Sequence, residues 1–102
     1  MSDANALCDA GAFAIVVEGV MEPIAVAVTQ GVGCPVIGIG ASAQCDGQVL
    51  VTDDMLGLFE RVPRFVKRYA DLRGVIAEAV ERYAAEVRER SFPGEEEVYP
   101  AR

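Results

Sequence analysis

Glu18 stands at the end of an otherwise apolar run, AFAIVV at residues 12–17, and is followed at once by Gly19. A glycine there lets the backbone turn away and leaves the carboxylate facing a ligand. Flanked by Phe13, Ile15 and Val17, the carboxylate would be desolvated and its pKa raised, which is how a glutamate becomes a base near neutral pH. The plainer alternative is a loop glutamate that helps to start the next helix. The chain has no histidine. Ser-His-Asp and Cys-His catalysis are therefore excluded, and any proton transfer falls to carboxylates, Lys, Tyr or Cys.

The second constellation is Gly38-Ile39-Gly40-Ala41-Ser42-Ala43, which matches G-x-G-x-x-A after an apolar segment. A dinucleotide fingerprint of this form must open a helix whose N-terminus receives the pyrophosphate. Here Asp46-Gly47 reads as a turn, and a further strand follows from Gln48. Gly38, Gly40, Ser42 and Asp46 are therefore read as a close-approach loop lining a substrate site, with simple turn chemistry as the alternative. Asp46, Asp53 and Asp54 read as following strands, where one or two carboxylates could serve a hard metal ion. Asp53 and Asp54 read better as caps of the helix that starts near Met55. Cys8, Cys34 and Cys45 form no CxxC pair and are odd in number, which argues against zinc and against a disulfide framework. They read as small buried hydrophobes, with Cys45 the exposed one.

These groups need elements to position them. Residues 12–17 and 35–39 (PVIGI) read as strands buried on both faces, and EPIAVAVTQ between them reads as a helix opened by Pro23 and stopped by Gly31 and Gly33. Strand, helix, strand at this spacing predicts a parallel crossover. Residues 48–51 supply a third short strand, and helical spacing takes over from Thr52. Phe65, Val66 and Tyr69 predict a short helix over residues 63–69. Leu72, Val75, Ile76, Ala79, Val80, Tyr83 and Val87 predict a long amphipathic one over residues 71–90. Phe92-Pro93-Gly94 closes the ordered part before a solvated acidic tail, residues 93–102.

Size and charge narrow the function. A chain of 102 residues with 9 basic and 16 acidic side chains makes one soluble domain with a modest core. Its net charge of -7 opposes binding to nucleic acid. No apolar stretch is long enough to span a bilayer and the N-terminus lacks a basic n-region, so a cytoplasmic protein is expected. Three parallel strands cannot cover both faces of a sheet or close on themselves. The chain therefore reads as part of a larger α/β sheet.

Read in order, CDAGAFAIVVEGV, PVIGIGA, CDGQVLV, a D-x-x-G-L stretch, RFVKRYADL and YAAEVRERSFPGEEE resemble the C-terminal part of ketopantoate hydroxymethyltransferase. The resemblance runs from about residue 8 to 97. It implies the last strands of a (β/α)₈ TIM barrel with their loops (residues 8–57), then C-terminal helices (58–92). It also implies transfer of a hydroxymethyl group from 5,10-methylenetetrahydrofolate to the 2-oxo acid 3-methyl-2-oxobutanoate in pantothenate biosynthesis, with Mg²⁺. Glu18 falls where the family has its general base. The family's metal-ligating acids have no counterpart in these residues, so the resemblance assigns no metal ligand here. The rival expectation is a non-catalytic half-barrel remnant that acts by oligomerising or by pairing with an N-terminal partner.

Overall fold

The computed structural model describes residues 1–101. Short apolar runs with β-branched residues give β1 (Ile15–Glu18) and β2 (Val36–Ile39), joined by α2 (Glu22–Gly31). The two strands pair in parallel, Ile15 beside Val36 and Glu18 beside Ile39. The third strand, β3 (Gly47–Gln48), pairs in parallel with the other side of β2, Ile37 beside Gly47. The sheet order is β1-β2-β3, which leaves β1 and β3 as open edges.

One face of this sheet is covered. Ala25 and Val28 of α2, three residues apart and so on one side of the helix, pack with Ile15, Val36, Ala41 and Cys45. Val36 is fully buried. A further helix that the pattern reading missed, α1 (Ser2–Asp9), adds Ala4 to the same cluster, with Cys8 packed against it. The spacing of Ala4 and Cys8, one helical turn, is the signal that could have found it.

The β2–β3 connection is unusually short. Parallel strands need a crossover of about a dozen residues or more, yet residues 40–46 return the chain from the end of β2 to the start of β3 without a helix. Two things permit it. The strands are very short, and Gly38 leaves room on the covered face for Cys45, whose sulfur would lie 3.0 Å from a Cβ there. Gly38 is thus a buried member of β2 and not the first residue of a loop. Cys45, expected at the surface, is buried for the same reason.

Beyond the sheet, α3 (Thr52–Met55) is a single turn and α4 (Leu72–Glu89) is the long helix. The Asp71 carboxylate caps α4 by accepting from the Gly74 N–H at 3.2 Å. Its N-terminus is tied to α3 through Leu72 N–H to the Leu56 carbonyl and Arg73 N–H to the Gly57 carbonyl. The helix predicted over residues 63–69 is absent. The chain makes one turn there, with Val66 N–H donating to the Pro63 carbonyl, and then runs without helix to α4. After Arg90 the chain folds back on α4, Phe92 packing edge-on against Tyr83 at 5.4 Å. Gly94 N–H then donates to Glu97, so the start of the acidic tail is an ordered turn.

Most of α4 packs on nothing. Val75, Ile76, Val80, Tyr83 and Val87 are all exposed, and no residue of the helix is buried. The chain has a radius of gyration of 23.3 Å, where a compact domain of this length has about 13 Å. It exposes 7981 Å², against roughly 5,600 Å² for a compact monomer of its mass. No helix among the described residues is long and apolar enough to cross a membrane.

Candidate functional site at the strand ends

β1 and β2 finish side by side. Glu18 closes β1, and the next residue, Gly19, donates its N–H to the Ile39 carbonyl at 2.9 Å. Both strands leave the sheet by the same device, a glycine in the left-handed region, with φ +61° at Gly19 and +64° at Gly40. The ring of Phe65 lies over both glycines, so a Cβ at Gly40 would overlap it.

Glu18 is exposed, as is Val16 two residues before it on the same face of the strand. The apolar wall expected from the sequence is not its neighbour. Phe13, Ile15 and Val17 alternate with Glu18, so Ile15 and Val17 face the helix-covered side, and Phe13, just before the strand, is 91% exposed. The apolar group that does approach this end of β1 is Phe65, 3.7 Å from where a Gly19 Cβ would be.

Ala41 and Ser42 continue from Gly40 along the strand ends, and both are buried. The Ser42 hydroxyl accepts from Gln44 N–H at 3.1 Å and the Ser42 carbonyl accepts from the Gln48 amide at 2.7 Å. These bonds fix the loop. A cleft of about 720 Å³ opens there, lined by Gly40, Ser42, Gln48, Met55 and the side chains of Phe65, Lys67 and Tyr69. The last three are the site residues that pattern reading missed. Their signal was alternation, F-x-K-x-Y, which the helical spacing of Phe65, Val66 and Tyr69 outweighed.

Asp46 is a correction. It precedes β3 instead of following a strand, and its carboxylate accepts from Val36 N–H at 2.8 Å, at the start of β2. It therefore sits at the opposite end of the sheet from Glu18 and Gly40, where it ties the starts of two strands together. Asp53 and Asp54 lie in the first turn of α3, but no side chain caps that helix; its N-cap is Val51. Among the described residues no three acidic or thiol side chains gather as a metal site. The described residues by themselves thus present no three-ligand set for the Mg²⁺ ion that the resemblance implies. The three cysteines are free thiols. Cys34 lies against Cys8, and the hydrogen bond with that thiol, with burial adding to it, raises its pKa.

The family model for ketopantoate hydroxymethyltransferase matches residues 1–95. The chain belongs to the ketopantoate hydroxymethyltransferase family. It is 72% identical over 99 residues to a 3-methyl-2-oxobutanoate hydroxymethyltransferase of Novosphingobium aromaticivorans, a match that covers 97% of this chain and 34% of that protein. Similar proteins of the same name from Sphingopyxis alaskensis, 67% identical with 97% and 34% covered, and from Hyphomonas neptunium, 62% identical with 100% and 37% covered, match as well. The chain spans about a third of the length of the curated relatives it matches, and corresponds to their C-terminal part.

Proposed function

We propose that this chain supplies the base and part of the catalytic rim for hydroxymethyl transfer to 3-methyl-2-oxobutanoate, within a (β/α)₈ barrel whose other strands lie outside these residues. Its three strands are the last of that barrel. Helices of such a barrel lie outside it, and ligands sit at the carboxyl ends of the strands. α2 covers the face bearing Ile15 and Val36. The opposite face, with Val16 and Glu18, becomes the interior, and Glu18 stands at its mouth. That placement is the observation that carries the proposal.

In the reaction, the Glu18 carboxylate takes the proton from C3 of the keto acid. Water opens the two C–N bonds of the one-carbon unit of 5,10-methylenetetrahydrofolate, releasing tetrahydrofolate with both nitrogens protonated and the carbon at the formaldehyde level. The electron pair left on C3, delocalised onto the 2-oxo oxygen, attacks that carbon, and the alkoxide formed takes the proton back from Glu18 to give the hydroxymethyl group. Phe65 restricts water at the strand ends, where water would otherwise return a proton to C3. The proposed setting is the cytoplasm, where three free thiols stay reduced.

The exposed apolar face of α4 and the two open sheet edges favour a second reading: the chain acts only when these surfaces are covered, by a second copy or by the remaining strands. One experiment addresses both. The chain is incubated in deuterated buffer with Mg²⁺ and 3-methyl-2-oxobutanoate, alone and joined to the rest of the Novosphingobium aromaticivorans relative. Exchange of the C3 proton in the joined protein, lost in Glu18→Gln, supports the base. Its absence when the chain is alone supports the second reading. Full exchange in Glu18→Gln sinks the proposed base.

A further inference from the structure

Residues 63–69 form a strap over the strand ends, and its lack of helix has a chemical consequence. Phe65, Lys67 and Tyr69, at alternate positions, all line the cleft beside Gly40 and Ser42. Arg68, between two of them, is held elsewhere: its guanidinium donates to the Phe59 and Glu60 carbonyls at 3.2 and 2.7 Å. A helix would have scattered these side chains around its axis.

Lys67 is the one charged side chain of the cleft lining. Its ammonium lies 5.0 Å from the centre of the Tyr69 ring. Among the described residues no carboxylate lies within ion-pair distance of it; the ion pair there is Arg73 with Glu60. In a chain of net charge -7, an unpaired cation on an apolar cleft with two aromatic rings selects a flat ligand bearing an anionic group. Of the two substrates, the keto acid has no ring to set against the two aromatic side chains, whereas the one-carbon donor carries both rings and carboxylates.

We propose that the strap is the binding site for the one-carbon donor: Phe65 and Tyr69 contact its aromatic rings, and Lys67 pairs with a carboxylate of its glutamate tail. This rests on the proposed function above and adds where, and by which residues, the second substrate is held.

The test is equilibrium dialysis of tetrahydrofolate, without keto acid, against the chain joined to the rest of the Novosphingobium aromaticivorans relative. Lys67→Ala is expected to raise Kd by about tenfold or more, as for loss of a charge-assisted hydrogen bond. Lys67→Met, which keeps the aliphatic stem over Tyr69, is expected to match it, and Lys67→Arg to retain most of the binding. Tetrahydrofolate with both glutamate carboxylates capped as methyl amides is expected to bind the unsubstituted protein as weakly as it binds Lys67→Met. An unchanged Kd in both neutral variants overturns the proposal. So does a capped ligand that binds as tightly as the parent, or a Lys67→Met protein that still discriminates between the two ligands. Failure of the underlying reading is separable, because C3 exchange needs no donor. Glu18-dependent exchange without a Lys67 effect removes the donor site alone, whereas no exchange in the unsubstituted joined protein removes the reading beneath it.

Discussion

Phe65 occupies the space that any side chain at position 40 would need. Gly40 also has φ +64°, so the close approach of strap and strand end depends on glycine twice. Gly40→Ala is expected to cost about 1–2 kcal/mol from the left-handed backbone and a further 1–3 kcal/mol, roughly, from overlap with the ring. Chemical denaturation of the joined protein measures the sum. Phe65→Gly removes the Phe65 Cβ as well as the ring, so in that background Gly40→Ala should cost only the backbone part. If Gly40→Ala costs as much in the Phe65→Gly background as in the unsubstituted protein, the two residues are not coupled as described.

Asp46 is a structural group at the far end of the sheet. Asp46→Ala leaves the buried Val36 N–H without its carboxylate acceptor, a loss of about 1–3 kcal/mol. Urea denaturation should show it, with C3 exchange per folded molecule unchanged. A variant of full stability but reduced exchange would return Asp46 to the site.

The apolar stripe of α4 should make the isolated chain self-associate. Sedimentation of the 102-residue chain is expected to give a mass that rises with concentration, and Val80→Glu with Val87→Glu, both on exposed positions, should lower it. A monomer at all concentrations, unaffected by the charges, would mean that the stripe needs no cover.

Cys34 should alkylate slowly. Its pKa is raised chiefly by the hydrogen bond with Cys8, so less thiolate is present at a given pH, and thiolate is the reacting form. The rate with iodoacetamide should climb through a higher pH range than for an ordinary thiol, and Cys8→Ala should move the profile down. Mass-mapped labelling at several pH values gives the comparison; a profile unaltered by Cys8→Ala would remove the pairing.

Much of the scaffold was legible locally. EPIAVAVTQ becomes α2 and the stripe from Leu72 to Val87 becomes α4, because helical spacing and caps are written within one or two turns of chain. β1 and β2 were legible as apolar runs, although their ends moved, since no strand among the described residues pairs with 12–14. Residues 49–51 read as strand and are not. No strand among the described residues pairs with them on that edge, and a strand exists only through its partner.

The site was legible in part. That Glu18 ends a strand beside a glycine, and that no histidine can share its work, follows from residue order alone. What surrounds Glu18 does not. Its sequence neighbours face the other way because side chains alternate across a strand, and the aromatic ring beside the next residue, Gly19, comes from a strap 47 positions after Glu18. Asp46 lies at the wrong end of the sheet because the chain crosses back in seven residues. Lys67 joins Phe65 and Tyr69 because tertiary contacts with the strand ends hold residues 63–69 out of the helix their spacing favours. Order along the chain decides which groups exist and which local elements carry them; direction, proximity and burial arise only from long-range pairing, which no local pattern contains.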